Sequence, residues 1–136
     1  MSSATYTAQI QNSLMPAIVR VREDIAEVDR DIRDYEQVAR RLEKMVDKPH
    51  AGPAQLGAGV WVDTVVPSNT AVTLDLGLDV HIDLPPPAAA EYASRRAVVL
   101  KKKREALVRR EERLMWQVDQ FEGAVREAQE REAKST

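Results

Sequence analysis

The sequence predicts an α+β fold: a long antiparallel coiled-coil hairpin of two helices, joined by two β-hairpins. Three observations carry the prediction. Apolar residues recur in steps of four and three through both outer parts of the chain, a period-two pattern fills the middle, and the composition is poor in large core residues. Of 136 residues, 31% are charged and 4% aromatic, which suits long solvated helices better than a broad core. The expected organisation is one domain over residues 1–136, with a helix at 14–48, a β region at 54–84 and a second helix at 87–132.

In the first helix, Leu14, Ile18, Val21, Ile25, Val28, Ile32, Tyr35, Ala39, Leu42 and Val46 alternate in steps of four and three. This narrow apolar seam marks a coiled coil, whereas an ordinary core helix shows a wider stripe. Pro16 lacks an N–H and is tolerated only near a helix start, so the regular helix should begin close to it. Residues before Ser13 should then be frayed or form a short separate turn. Pairs at helical spacing, such as Asp29 with Arg33 and Glu36 with Arg40, add about 0.2–0.5 kcal/mol each. The helix should end near Lys48, because Pro49 disfavours helical geometry in the residue before it, and Gly52 and Pro53 follow.

Gly57 and Gly59 then bracket a turn, and the β-branched run Val60, Val62, Thr64, Val65 and Val66 follows. Val72, Leu74 and Leu76 alternate with Thr73 and Asp75, and Val80, Ile82 and Leu84 alternate with His81 and Asp83. Pro67, Ser68 and Asn69 supply one turn, and Gly77, Leu78 and Asp79 another. Three main strands and a short one around Gln55 and Leu56 make two hairpins. Pro85, Pro86 and Pro87 close the region, and the last of them fits the first turn of the second helix.

The second seam runs through Ala93, Ala97, Leu100, Arg104, Leu107, Glu111, Leu114, Val118, Phe121, Val125 and Ala128. Arg104 and Glu111 are polar seam positions, which more often fix register and partner choice than carry chemistry. If Val46 lies beside Ala93, the antiparallel register puts Arg104 near Tyr35 and Glu111 near Val28.

Strands this few leave open edges and bury little surface, so the β region should pair with equivalent strands of other chains. Val60, Val62, Thr64 and Val66 share one face of their strand, and Trp61, Asp63 and Val65 share the other. A strand apolar on both faces implies cover on both sides.

The order of helix, hairpins and helix resembles the prefoldin family, and two hairpins resemble its α class. The segment Val62, Asp63, Thr64, Val65, Val66 and Pro67, with its spacing to Gly77 and to Ile82–Leu84, carries the specific part of the likeness. The resemblance implies a heterohexamer of α-class and β-class subunits, in which strands form the platform and coiled coils hold non-native or assembling client proteins. It implies assembly through Val60, Trp61, Val62, Val65, Val72, Leu74, Leu76 and Ile82. A nuclear transcription co-regulator acting as a coiled-coil adaptor for transcription factors is the alternative; a cytoskeletal tether would leave the β region without purpose. Trp61 where phenylalanine is expected, the three prolines and the charged stretch Glu127–Lys134 depart from the pattern.

At the far end of the helices, Tyr6, Ile10, Met15, Phe121 and Val125 are the candidate client contacts. Leu14, Phe121 and Val125 also complete the seam, so Met15, off the seam, is the stronger contact. Trp116 and Met115 lie beside the seam, placed to meet another subunit. Lys101, Lys102, Lys103 and Arg104 form a basic run, diluted by Glu105, Glu111 and Glu112, that reads as a solvated face.

The sequence lacks cysteine, so thiol catalysis and sulfur-ligated metals are excluded. His81 with Asp75, Asp79 and Asp83 meets neither metal geometry nor a nucleophile–base set, and His50 sits apart. The expectation is no enzymatic activity, no cofactor and no metal site. A net charge of -2 from 20 basic and 22 acidic residues provides no field for nucleic acid or an anionic bilayer. The amino terminus shows neither a signal nor a membrane span, so a soluble intracellular protein is expected; the resemblance implies the cytoplasm, with the nucleus as the alternative.

Overall fold

The computed structural model describes residues 1–44, 50–66 and 71–136. In chain order it contains α1 (Ser3–Gln9), a π-helical turn (Ile10–Leu14), α2 (Met15–Glu43), β1 (His50–Gly57), β2 (Val60–Val66), β3 (Val72–Gly77), β4 (Val80–Leu84) and α3 (Pro86–Lys134). The chain packs as two units, Met1–Ile32 with Val99–Thr136, and Arg33–Val98.

In the first unit the helices run antiparallel, and the seam is legible in the burial. Leu14, Ile18, Val21, Val28 and Ile32 are buried, as are Leu100, Val118 and Ala128. Leu14, Ile18 and Val118 form one cluster, with Ile10, Leu114 and Phe121 packed against it. Burying an aliphatic side chain of this size contributes about 1.5–3 kcal/mol, far more than any exposed ion pair.

The helix reaches back to Ser3, well ahead of the expected start near Pro16. Ser2 caps it, its Oγ accepting the Thr5 N–H at 3.2 Å, which satisfies one otherwise orphaned donor. Pro16 survives inside the continuous backbone because a π turn precedes it. In an unbroken α-helix the proline ring would press on the Asn12 carbonyl and leave it without a donor. Over Ile10–Leu14 the backbone widens, and the Met15 N–H bonds the Ile10 carbonyl, relieving that conflict.

The register also differs from expectation. Arg104 does not face Tyr35; its Nε donates to Asp29 Oδ1 at 2.5 Å, and Arg22 Nε donates to Glu111 Oε2 at 2.9 Å. Charge explains the difference. The expected alignment would have set Glu111 at Val28, next to the like charge of Asp29, whereas the observed one, six residues along α2, gives both polar seam residues an opposite partner. Asp29 therefore bonds across the helices.

In the second unit, Leu42, Ala89 and Ala90 are buried, and Val72, Leu74 and Leu84 of the β3–β4 hairpin pack against them. Alanine at positions 39, 89, 90, 93 and 97, all buried, keeps these helical surfaces thin enough for close approach. The Pro85 carbonyl accepts the Ala89 N–H at 3.0 Å, so Pro86 and Pro87 occupy first-turn positions where an N–H would have no partner. α2 is described through Glu43; its expected continuation to Val46 and Lys48, and the Pro67–Asn69 turn, lie outside the described residues.

β1 is longer than expected. It pairs with β2 from His50↔Val66 to Gly57↔Val60, with Pro53 opposite Asp63. A proline is compatible with an edge strand because one side of the strand needs no donor. β3 pairs with β4 from Val72↔Leu84 to Gly77↔Val80. Both hairpins close through two-residue loops with positive φ at both positions: Ala58 at 47° with Gly59 at 78°, and Leu78 at 53° with Asp79 at 60°. That conformation matches the twist of the flanking strands.

Candidate functional site

The two hairpins treat their apolar residues differently. In β3–β4, cross-strand neighbours share a face, so Val72, Leu74, Ile82 and Leu84 stand together, and three of them rest on the helices. The other face is polar: Thr73 Oγ1 donates to Asp83 Oδ1 at 2.6 Å, the Gly77 N–H donates to Asp75 Oδ1 at 2.8 Å, and His81 Nε2 lies 3.9 Å from the same oxygen. These contacts hold a turn and a strand pair. Among the described residues no group of three or more histidines and carboxylates is placed to hold a metal ion.

In β1–β2, neither face has cover. On one face Trp61 is 60% and Val65 69% exposed; on the other Val62 is 42% exposed, with Val60 and Val66 also open. Only Ala54 and Thr64 of the described strand residues are half-buried, the Thr64 hydroxyl donating to the Gly52 carbonyl at 2.8 Å. Of the eight residues expected to mediate assembly, Val60, Trp61, Val62, Val65, Leu76 and Ile82 are therefore exposed, while Val72 and Leu74 pack within their own unit. Sequence reasoning missed Leu56, Leu78 and Val80, all exposed. A leucine between Gly77 and Asp79 in a tight turn was the available signal, since turns favour small or polar residues there.

At the helix ends of the first unit, Tyr6 and Phe121 meet edge to face, with centroids 5.8 Å apart. Ile10 and Val125 line one groove of about 420 Å³ together with Thr7, Gln11, Glu122 and Arg126. Met15 stands apart, exposed on α2. The amino terminus is held by Ser3, whose N–H and Oγ donate to Glu132 Oε1 and Oε2 at 3.0 and 2.8 Å. These bonds, the backbone one foremost, with Arg131 nearby, hold the Glu132 carboxyl below the usual range. Met115 and Trp116 are exposed, and Arg22 Nη2 approaches Met115 Sδ at 3.7 Å. Lys101, Lys102 and Lys103 are exposed, while Arg104 is committed to Asp29. No helix among the described residues is long and apolar enough to cross a membrane.

Two long helices flanking two hairpins, one of them with both faces bare, define a helical-hairpin subunit built around open strands. The profile of the prefoldin subunit family matches residues 14–131, and the chain belongs to the prefoldin family, whose members are chaperone subunits. A comparison with curated proteins finds no match.

Proposed function

We propose that this chain is an α-class prefoldin-like chaperone or co-chaperone subunit. It joins α-class and β-class subunits in a heterohexamer and binds non-native or assembling proteins through the helix ends. The observation that carries the reading is β2, apolar on both faces and uncovered on both. Exposed valines and a tryptophan on one short strand, with one edge paired to β1 and the other open, are what pairing with neighbouring chains would bury. Passive capture needs no nucleotide; several weak contacts from neighbouring arms add up. Met15, with Tyr6, Ile10, Phe121 and Val125, supplies an adaptable apolar surface for such contacts.

The stretch Val62–Pro67 resembles the first long strand of the ubiquitously-expressed-transcript protein, an α-class prefoldin-like subunit. That likeness favours specialised co-chaperone work in cytoplasm and nucleus, and it supports the adaptor role for transcription factors as the second reading. Co-expression with a β-class partner should give a discrete heterohexamer in analytical ultracentrifugation; a monodisperse monomer with the partner present sinks the proposal. Val62→Glu with Val65→Glu should abolish the complex. If a transcriptional effect survives that loss, the adaptor reading takes its place.

A further inference from the structure

Beside the tip of the β3–β4 hairpin, Tyr35 of α2, Asp75, Leu76 and Gly77 of β3, and Tyr92 and Arg96 of α3 line a recess of about 490 Å³. Its uncommitted polar groups are mostly donors. Among the described residues, the Arg96 guanidinium and the hydroxyls of Tyr35 and Tyr92 have no hydrogen-bond or ion-pair partner. The one acid in the wall, Asp75, is held at one oxygen: its Oδ1 accepts the Gly77 N–H at 2.8 Å, with His81 Nε2 at 3.9 Å, while the side chain stays 70% exposed. A guanidinium takes a carboxylate through two parallel bonds, and a phenol can donate a third. The recess therefore asks for a singly charged oxyanion.

The adjoining hairpin tip says what kind of molecule brings it. Leu78 is 100% exposed at a φ of 53°, so an apolar side chain stands wholly in water on a backbone that branched residues avoid. Leu76 and Val80 flank it, also exposed. A free phosphate would leave those residues in water and would meet the Asp75 carboxylate with a second negative charge. A polypeptide with an acidic residue next to apolar ones satisfies both parts of the surface.

We propose that this recess receives the carboxylate of an Asp or Glu side chain from a neighbouring prefoldin-type subunit, whose adjoining apolar residues cover Leu76 and Leu78. The proposal rests on the assembly reading above and gives the neighbour a chemistry: an acidic residue flanked by apolar ones, docked against Tyr35, Tyr92 and Arg96.

The test uses the full chain with a β-class prefoldin subunit from the same organism. Arg96→Glu should weaken the complex by about tenfold or more, and the wild-type complex should lose affinity with added salt more steeply than the variant. Arg96 is exposed and has no partner among the described residues, so the variant's melting curve should match wild type. In the Arg96→Lys complex, a carbodiimide should join position 96 to an acidic residue of the neighbour, located by mass spectrometry. Wild-type affinity in Arg96→Glu, or a formed Arg96→Lys complex with no cross-link from position 96 to the neighbour, overturns the proposal while leaving assembly intact. A wild-type chain that forms no complex defeats the assembly reading and this inference with it.

Discussion

Ser3 and Glu132 tie the two ends of the first unit together through a single carboxylate. Because the folded state favours ionised Glu132, the tie is present at neutral pH and is lost as pH falls through the carboxylate range. The Ser3 amide resonance should therefore titrate in NMR with a midpoint below that of an unperturbed glutamate, and Glu132→Gln should remove the titration. A Ser3 amide that ignores pH in the wild type would mean the bonds do not persist in solution. Glu132 lies in the charged stretch Glu127–Lys134, where composition alone reads as solvation; its partner is 129 residues away in sequence, beyond the reach of local pattern.

The elements show how much of the fold could be read in advance. Heptad spacing is local, so the seams through Leu14–Leu42 and Ala93–Ala128 were legible residue by residue. Alternation and turn chemistry likewise placed β2, β3 and β4. Register was not legible from spacing, because a slip of seven residues restores every apolar contact; only the charges differ. Arg22–Glu111 and Asp29–Arg104 run with opposite polarity one heptad apart. A slip in one direction sets Arg22 against Arg104, and in the other Asp29 against Glu111. Exchanging one rung, Arg22→Glu with Glu111→Arg, keeps both pairs but makes their polarity uniform. We expect stability within about 1 kcal/mol of wild type, since exposed pairs contribute little. Spin labels at positions 23 and 113 should then report a second separation, displaced by about 10 Å along the helix. A single distance, unchanged, would assign register to the β region instead. The recess of Tyr35, Tyr92 and Arg96 was illegible for a related reason: one residue lies on a seam and two lie off it, and only folding makes them neighbours.

For the molecule as a whole, charge is balanced and apolar surface is concentrated. Net charge is -2, so association should depend on local contacts more than on long-range steering. The two tryptophans report on different surfaces, Trp61 on β2 and Trp116 on α3. In a Trp116→Phe variant, the remaining emission should shift to the blue when a β-class subunit is added, and calorimetry should give a negative heat-capacity change as apolar area is buried. Emission that stays at the wavelength of water-exposed indole would show that a formed complex leaves β2 bare.

The π turn before Pro16 has a consequence for how the chain tolerates insertion and deletion. Such a turn accommodates one residue more than an α-helix would over the same rise. Deleting one residue between Ile10 and Leu14 would therefore regularise the backbone and leave everything ahead of it in nearly the same phase, whereas inserting one would rotate it by about 100°. On insertion Tyr6 would swing off the Phe121 ring and Ser3 would leave Glu132; on deletion those contacts would stay and the carbonyl conflict with Pro16 would return. The wide turn thus holds one extra residue without turning Tyr6 and Ser3 away from α3, so a further insertion would unfasten the end of the molecule while leaving the seam from Ile18 onward untouched, and a deletion would strain only the backbone at Pro16.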